Sequence, residues 1–131
     1  MANFLENTVA WMERKGLANK YHHAGIYCIK IDADIVYIGK SANMLRRIAE
    51  HYVGIKTGSE KKYRILAEVR RRGHPITFDV LYYAKSRRLV DRLAEIGEKE
   101  GEYIRKYKPI LNTQIPKADD WNKYENKSVD E

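Results

Sequence analysis

The sequence predicts an α/β fold in which a small three-stranded antiparallel sheet is flanked by helices, with an accessory helix at the N-terminus. Three observations carry that expectation. Residues 25–31, 35–40 and 76–84 are short runs rich in Ile, Val and Tyr, the composition of strands. Between and after them the apolar residues recur at spacings of three and four, the period of a helix with one buried face. A chain of 131 residues with 44% hydrophobic content is sized for one domain around one core.

Taken in order, Asn3 can cap a first helix whose Leu5, Val9 and Met12 share a stripe, ended by Gly16. The runs 25–31 and 35–40 form a hairpin across the turn Asp32-Ala33-Asp34. Asn43 caps a helix over 44–53, a polar loop covers 54–59, and a second helix over 60–72 ends at Gly73. After the third strand a long helix runs over 88–106 and stops before Pro109. The expected organisation is an accessory helix over 1–23, a main body over 24–113 and a weakly ordered tail over 114–131, with Trp121 and Tyr124 able to anchor that tail to the body or to a second subunit.

The formal net charge is +7 and the pI about 9.4, so the natural partners are polyanions. The charge is uneven, with +9 on residues 1–112 and −2 on the remainder. One cysteine, Cys28, excludes an intramolecular disulfide and a multi-cysteine zinc site and fits a reducing compartment. No apolar run approaches the roughly 20 residues that span a bilayer. The start of the chain, with Asn3, Glu6 and Asn7, lacks the order of a signal peptide. A soluble, cytoplasmic protein that does not enter a membrane is expected.

Several residues do not behave as scaffold. On the long helix Leu93, Ile96, Tyr103, Ile104 and Tyr107 define the expected buried face, and Glu100 falls in the middle of it. A buried carboxylate costs several kcal/mol by order of magnitude unless it is paired or metal-bound. On the first basic helix Arg47 and His51 stand four apart and share a face, beside the turn that leaves Tyr37, Gly39, Lys40 and Ser41. Carboxylate, guanidinium and proton-accepting groups together are what phosphodiester hydrolysis needs. A single carboxylate ligand suits magnesium or manganese, which keeps its waters and takes phosphate oxygens. Each residue also has a plainer use: Glu100 could neutralise an arginine, and Arg47, His51 and Lys40 could be solvated surface.

GIY at 25–27 and YIG at 37–39, ten residues from Tyr27 to Tyr37, resemble the GIY-YIG nuclease superfamily. The stretch YIGKSANMLRRIAEH, with Arg47 and His51 ten and fourteen after Tyr37, is similar in spacing to the family's catalytic helix. EGEYIRKYKPILN, from Glu100 to Asn112, resembles its closing segment. The resemblance implies a metal-dependent endonuclease acting on DNA, taken as duplex, with one Mg2+ or Mn2+ per active site. It implies that Tyr27 is the general base or its relay, that Tyr37 positions water or phosphate, and that His51 assists proton transfer. Arg47 would stabilise the transition state, Glu100 would hold the metal, and Asn112 would orient its neighbours. With no appended recognition domain evident, a small standalone nuclease of restriction or phage-degradative type is expected.

The run KKYRILAEVRRR, with Lys61, Lys62, Arg70, Arg71 and Arg72, together with Lys40 and Ser41, supplies candidate phosphate contacts; the alternative is a solvated helix face. Cutting both strands of a duplex requires two sites to meet or one to act twice. That makes a homo-oligomer a candidate, with Leu5, Val9, Met12 and the tail aromatics as candidate interfaces, although covering their own sheet is the simpler use of these residues. The rival is a non-catalytic nucleic-acid-binding module of the same fold, which would be expected to have lost one of Tyr27, Arg47, His51 or Glu100; each is present.

Overall fold

The computed structural model describes residues 3–113 together with Trp121, Lys123 and Tyr124; the rest of the tail expected over 114–131 lies outside the described residues. The elements are α1 (Phe4–Arg14), α2 (Ala18–Tyr21), β1 (Gly25–Ile31), β2 (Asp34–Ser41), α3 (Met44–Thr57), α4 (Lys61–Arg71), β3 (Ile76–Tyr83), α5 (Leu89–Tyr107) and α6 (Ile110–Thr113). The sheet is three-stranded and antiparallel, as the sequence predicts, and its strand order is β2-β1-β3.

β1 is the central strand, and both its faces are covered. Its sequence GIYCIKI is therefore apolar at almost every position instead of alternating. Tyr27, Ile29 and Ile31 pack with Val36 of β2 against Met44, Leu45 and Ile48 of α3 and Leu66 and Val69 of α4. On the other face Ile26, Cys28 and Ile38 pack against Ile96 of α5. The hairpin turns in two residues, with Asp32 in the left-handed region at φ 55, a conformation that aspartate tolerates.

The predicted caps are present. Asn3 Oδ1 accepts from Glu6 N at 2.8 Å, and Asn43 Oδ1 accepts from Arg46 N at 3.3 Å. α3 is longer than the sequence suggests: it passes through Gly54 and ends at Thr57, because Gly58, at φ 68, supplies the left-handed cap. The α1 stripe is used within the chain, since Met12 is fully buried and Leu5 and Val9 pack against the same core. Trp121 and Tyr124 are buried on the body, where Tyr124 Oη donates to Asp34 Oδ2 at 2.7 Å and Arg72 Nη1 donates to Tyr124 O at 3.3 Å.

α5 departs most from its sequence pattern. Of the face expected to be buried only Ile96 is so; Leu93 and Tyr107 are exposed, and the Glu100 side chain keeps 26% of its surface. α5 rests chiefly on β2, the outer strand, and less on β1, so the sheet covers only part of its apolar face. Glu100 is thus not a buried charge, and the cost that its position implied does not arise.

β2 lies at the sheet edge, and α6 closes it. Asn112 Oδ1 accepts from Ile38 N at 2.7 Å, and its Nδ2 donates to Ile38 O at 2.8 Å, so one side chain acts as a strand partner. Replacing Asn112 by Ala is expected to lower the unfolding free energy by about 1–3 kcal/mol, the cost of leaving partly buried backbone groups unmet. Urea titration checks this, and a midpoint equal to that of the unaltered protein would show that water satisfies Ile38 as well.

Candidate active site

The register of the hairpin answers what the two tyrosines share. Tyr27 faces Gly39, and Ile29 faces Tyr37, so Tyr27 and Tyr37 are diagonal neighbours on one face, their ring centroids 6.4 Å apart. The Tyr27 ring lies across Gly39: a Cβ there would come 2.3 Å from the Tyr27 hydroxyl, so no other residue fits without moving the ring. Gly25 is constrained likewise, by the Tyr82 carbonyl 2.2 Å from its would-be Cβ.

His51, from the second turn of α3, is fully buried beside both rings. Its Nε2 is 2.6 Å from Tyr27 Oη, and its Nδ1 is 2.8 Å from Tyr63 Oη of α4. Burial, reinforced by the charges of Arg47 and Lys62, lowers the imidazole pKa to about 3. His51 is therefore neutral at physiological pH, with one N–H to donate and one lone pair to accept, and its two phenol neighbours use both.

Arg47 lies one turn before His51 on α3. Its Nη1 donates to Glu50 Oε1 at 3.1 Å, and its guanidinium favours the ionised form of Tyr27. Burial works the other way and dominates, followed by Tyr37, so the Tyr27 phenol stays well above its ordinary pKa. The Lys62 amine sits 4.7 Å from the Tyr37 ring centroid and 5.1 Å from that of Tyr63, which makes it the α4 cation in contact with this cluster.

Glu100 and Lys40 belong to the opposite side of the sheet. Lys40 faces Ile26, whose side chain is in the α5 core, and its Nζ is 4.0 Å from Glu100 Oε1. The structure thus brings Tyr27, Tyr37, Arg47 and His51 into one cluster and pairs Glu100 with Lys40 across the α5 face. Asn112 holds Ile38, the residue of β2 between Tyr37 and Gly39. Among the described residues no three His, Cys, Asp or Glu side chains converge as a ready-made metal cage.

The other candidate phosphate contacts are dispersed. The Ser41 hydroxyl donates to Asn43 O at 2.8 Å and accepts from Asn43 N at 3.0 Å, bracing the start of α3. Arg71 and Arg72 both pair with Glu68. Lys61 and Arg72 line a cavity with Trp121, whereas Arg70 lines another with Trp11 and Tyr52. Tyr63 was not singled out from the sequence, because it is embedded in a run that reads as basic. A buried histidine nonetheless needs two partners, and Tyr63, three before Leu66 on the apolar face of α4, was in position to supply one.

Comparison with known proteins is consistent across sequence and fold. The profile of the GIY-YIG catalytic domain matches residues 23–114. The GIY-YIG N-terminal endonuclease domain of UvrC from Thermotoga maritima, as a point mutant bound to its catalytic divalent cation, is 20% identical. It covers 77% of this chain and 94% of its own, with a TM-score of 0.50. The same domain bound to magnesium is 20% identical over 76% of this chain and 94% of its own, with a TM-score of 0.49. No curated protein matches. No helix among the described residues is long and apolar enough to cross a membrane.

The neutral, buried His51 gives stability a sign with pH. An unfolded histidine binds a proton near pH 6.5 and folded His51 only near 3, so between these values protons favour the unfolded chain and stability falls on acidification. The cost between pH 7 and 5 is about 2 kcal/mol by order of magnitude. The carboxylates held low, Asp34, Asp79 and Glu95, lose their contribution only below their ordinary range near pH 4. His51→Gln, which keeps a donor and an acceptor but takes no proton, is expected to remove this slope from denaturation curves recorded at pH 7, 6 and 5. Parallel curves for the two proteins would contradict it.

Proposed function

The chain belongs to the GIY-YIG catalytic domain family, and on that premise we propose that it is a divalent-cation-dependent endonuclease that hydrolyses phosphodiester bonds of duplex DNA at one active site per chain. The observation that carries this reading is the packed set on one sheet face. Tyr27 is hydrogen-bonded to a neutral His51 at 2.6 Å, and Arg47 beside them favours the phenolate, in a chain where each of the family's motif positions is filled.

Within this reading Tyr27 accepts the proton of the attacking water. Its phenol is neutral in the resting protein because burial outweighs Arg47, so its ionisation, with the proton released to solvent, would require the added positive charge of a bound cation. Arg47 faces the charge that develops on the phosphoryl oxygens, and Tyr37 positions water or phosphate on the same face. Asn112 fixes β2 between Tyr37 and Gly39, so that both keep their place beside Tyr27.

The donor set fits a hard divalent ion. Glu100 offers one half-open carboxylate whose neighbour is the Lys40 ammonium at 4.0 Å, and no cage of three or more ligands is present among the described residues. That suits Mg2+ or Mn2+, which is held by one or two carboxylates and completes its shell with water and phosphate, and it does not suit a closed zinc site. Bound there, the cation would supply Lewis-acid stabilisation of charge on the phosphate. Lys40, displaced from Glu100, would then be free to pair with a phosphate oxygen.

Incubation with supercoiled plasmid tests the reading. Conversion to nicked, linear or degraded DNA is expected with magnesium or manganese and not with chelator. Glu100→Gln should abolish it, and Arg47→Ala should slow single-turnover cleavage by about 10²–10³-fold, the usual loss for one oxyanion donor. Plasmid that stays intact but shifts in a gel at low salt would instead favour a binding module without chemistry. Lys62→Ala should weaken DNA binding and reduce the slope of log K against log salt by about 1. Arg71→Ala, at the far end of α4 from the tyrosine cluster that Lys62 touches, should change it little; equal effects of the two would disperse the proposed footprint over α4.

A further inference from the structure

The second hydrogen bond of His51 has no part in the roles set out above. Tyr63 enters from α4, almost wholly buried, and its ring lies against Gly54 of α3, where a Cβ would come 2.3 Å from the ring. Tyr27 lies against Gly39 at the same distance. Two glycines therefore admit two phenols to the opposite nitrogens of one imidazole. Both neighbours are hydroxyls, which can donate or accept, so geometry alone leaves two patterns: the His51 proton on Nδ1 and directed to Tyr63, or on Nε2 and directed to Tyr27.

We propose that Tyr63 is a positioning residue for Tyr27: its hydroxyl donates to His51 Nδ1 and thereby holds the imidazole in the tautomer whose Nε2–H donates to Tyr27 Oη. The inference rests on the reading of Tyr27 as proton acceptor, and it follows from counting donors. A phenolate at Tyr27 can only accept, so the atom facing it at 2.6 Å must carry a hydrogen. A neutral imidazole with its hydrogen on Nε2 presents a bare lone pair at Nδ1, in a ring with no solvent exposure, and a buried lone pair needs a donor. The Tyr63 hydroxyl, 2.8 Å away, is that donor. The opposite pattern would set a phenolate against a lone pair.

The surroundings agree. The groups that face the pair are Tyr37 from β2, Arg47 and Glu50 from α3, and Lys62 with Glu60 at the start of α4. Arg47 and Lys62 discourage a charged imidazole, which would otherwise donate to both phenols and make the tautomer irrelevant. Burial raises the Tyr63 phenol to about 12 and that of Tyr27 further, which makes Tyr63 the more acidic of the two and the better donor.

The test reads the tautomer directly. In the full chain labelled with 15N-histidine, the ring nitrogens of His51, assigned by their absence from His51→Gln, report at pH 7 which one carries the proton. The wild type should show it on Nε2. Tyr63→Phe, which removes only the hydroxyl, should move both nitrogens toward tautomer-averaged shifts. The same variant should slow single-turnover cleavage about tenfold, part of the 10²–10⁴-fold that proton transfer contributes, with half-saturation by DNA unchanged and the rise of rate with pH displaced upward. A wild-type proton on Nδ1, or a Tyr63→Phe protein with the spectrum and rate of the wild type, would overturn the proposal. So would a variant that loses rate while keeping Nε2–H, because Tyr63 would then act through packing alone. A wild-type protein that leaves DNA intact overturns the nuclease reading and not the tautomer, which the spectrum reads independently.

Discussion

The site depends on keeping one polar ring dry. His51 is fully enclosed, and a buried imidazole is tolerable only when both nitrogens are met. Tyr27 comes from the central strand and Tyr63 from α4, so satisfying this single residue ties the sheet to both helices that cover its face. The requirement reaches into the backbone. Gly39 and Gly54 leave room for the two rings, and the hairpin register sets Tyr27 opposite the first of them. This polar contact joins α3, α4 and the sheet alongside the apolar core that they share.

Much of this architecture can be read from the chain before any coordinates. The strand runs, the caps at Asn3 and Asn43 and the order of the longer elements follow from local chemistry, whereas the four-residue helices α2 and α6 do not stand out in it. What failed was non-local. Gly54 looked like the start of a loop because a glycine in a helix costs stability, yet here it makes room for Tyr63, a partner that the sequence does not put beside it. Glu100 looked buried because periodicity predicts which residues share a face, while the place of α5 on the outer strand β2 decides how much of that face is covered.

The candidate site was legible in part for the same reason. Tyr27, Tyr37, Arg47 and His51 stand out by spacing, and the register gathers them. Spacing is silent about which side of the sheet each residue serves. Alternation along β2 sends Tyr37 and Gly39 to the α3 face and Ile38 and Lys40 to the α5 face, so neighbours in sequence serve different chemistry. The basic run of α4 is divided similarly by helical rotation: Lys62 turns toward the tyrosines, and Arg71 and Arg72 turn to Glu68. Tyr63 carries no signal of its own, since its importance comes from what His51 lacks without it.

The Asn112 clamp has a consequence for how the chain is made. β2 is an outer strand, and an outer strand with unmet backbone groups is a template for pairing with another molecule. The side chain that meets Ile38 lies 74 residues further along the chain. During synthesis at about 5–20 residues per second, that edge stays open for several seconds after the hairpin has left the ribosome. The segment exposed meanwhile, DIVYIGKS, is largely apolar. Asp34 at one end and Lys40 near the other are then its intrinsic protection against strand addition, so charges that look incidental in the finished fold guard the nascent one.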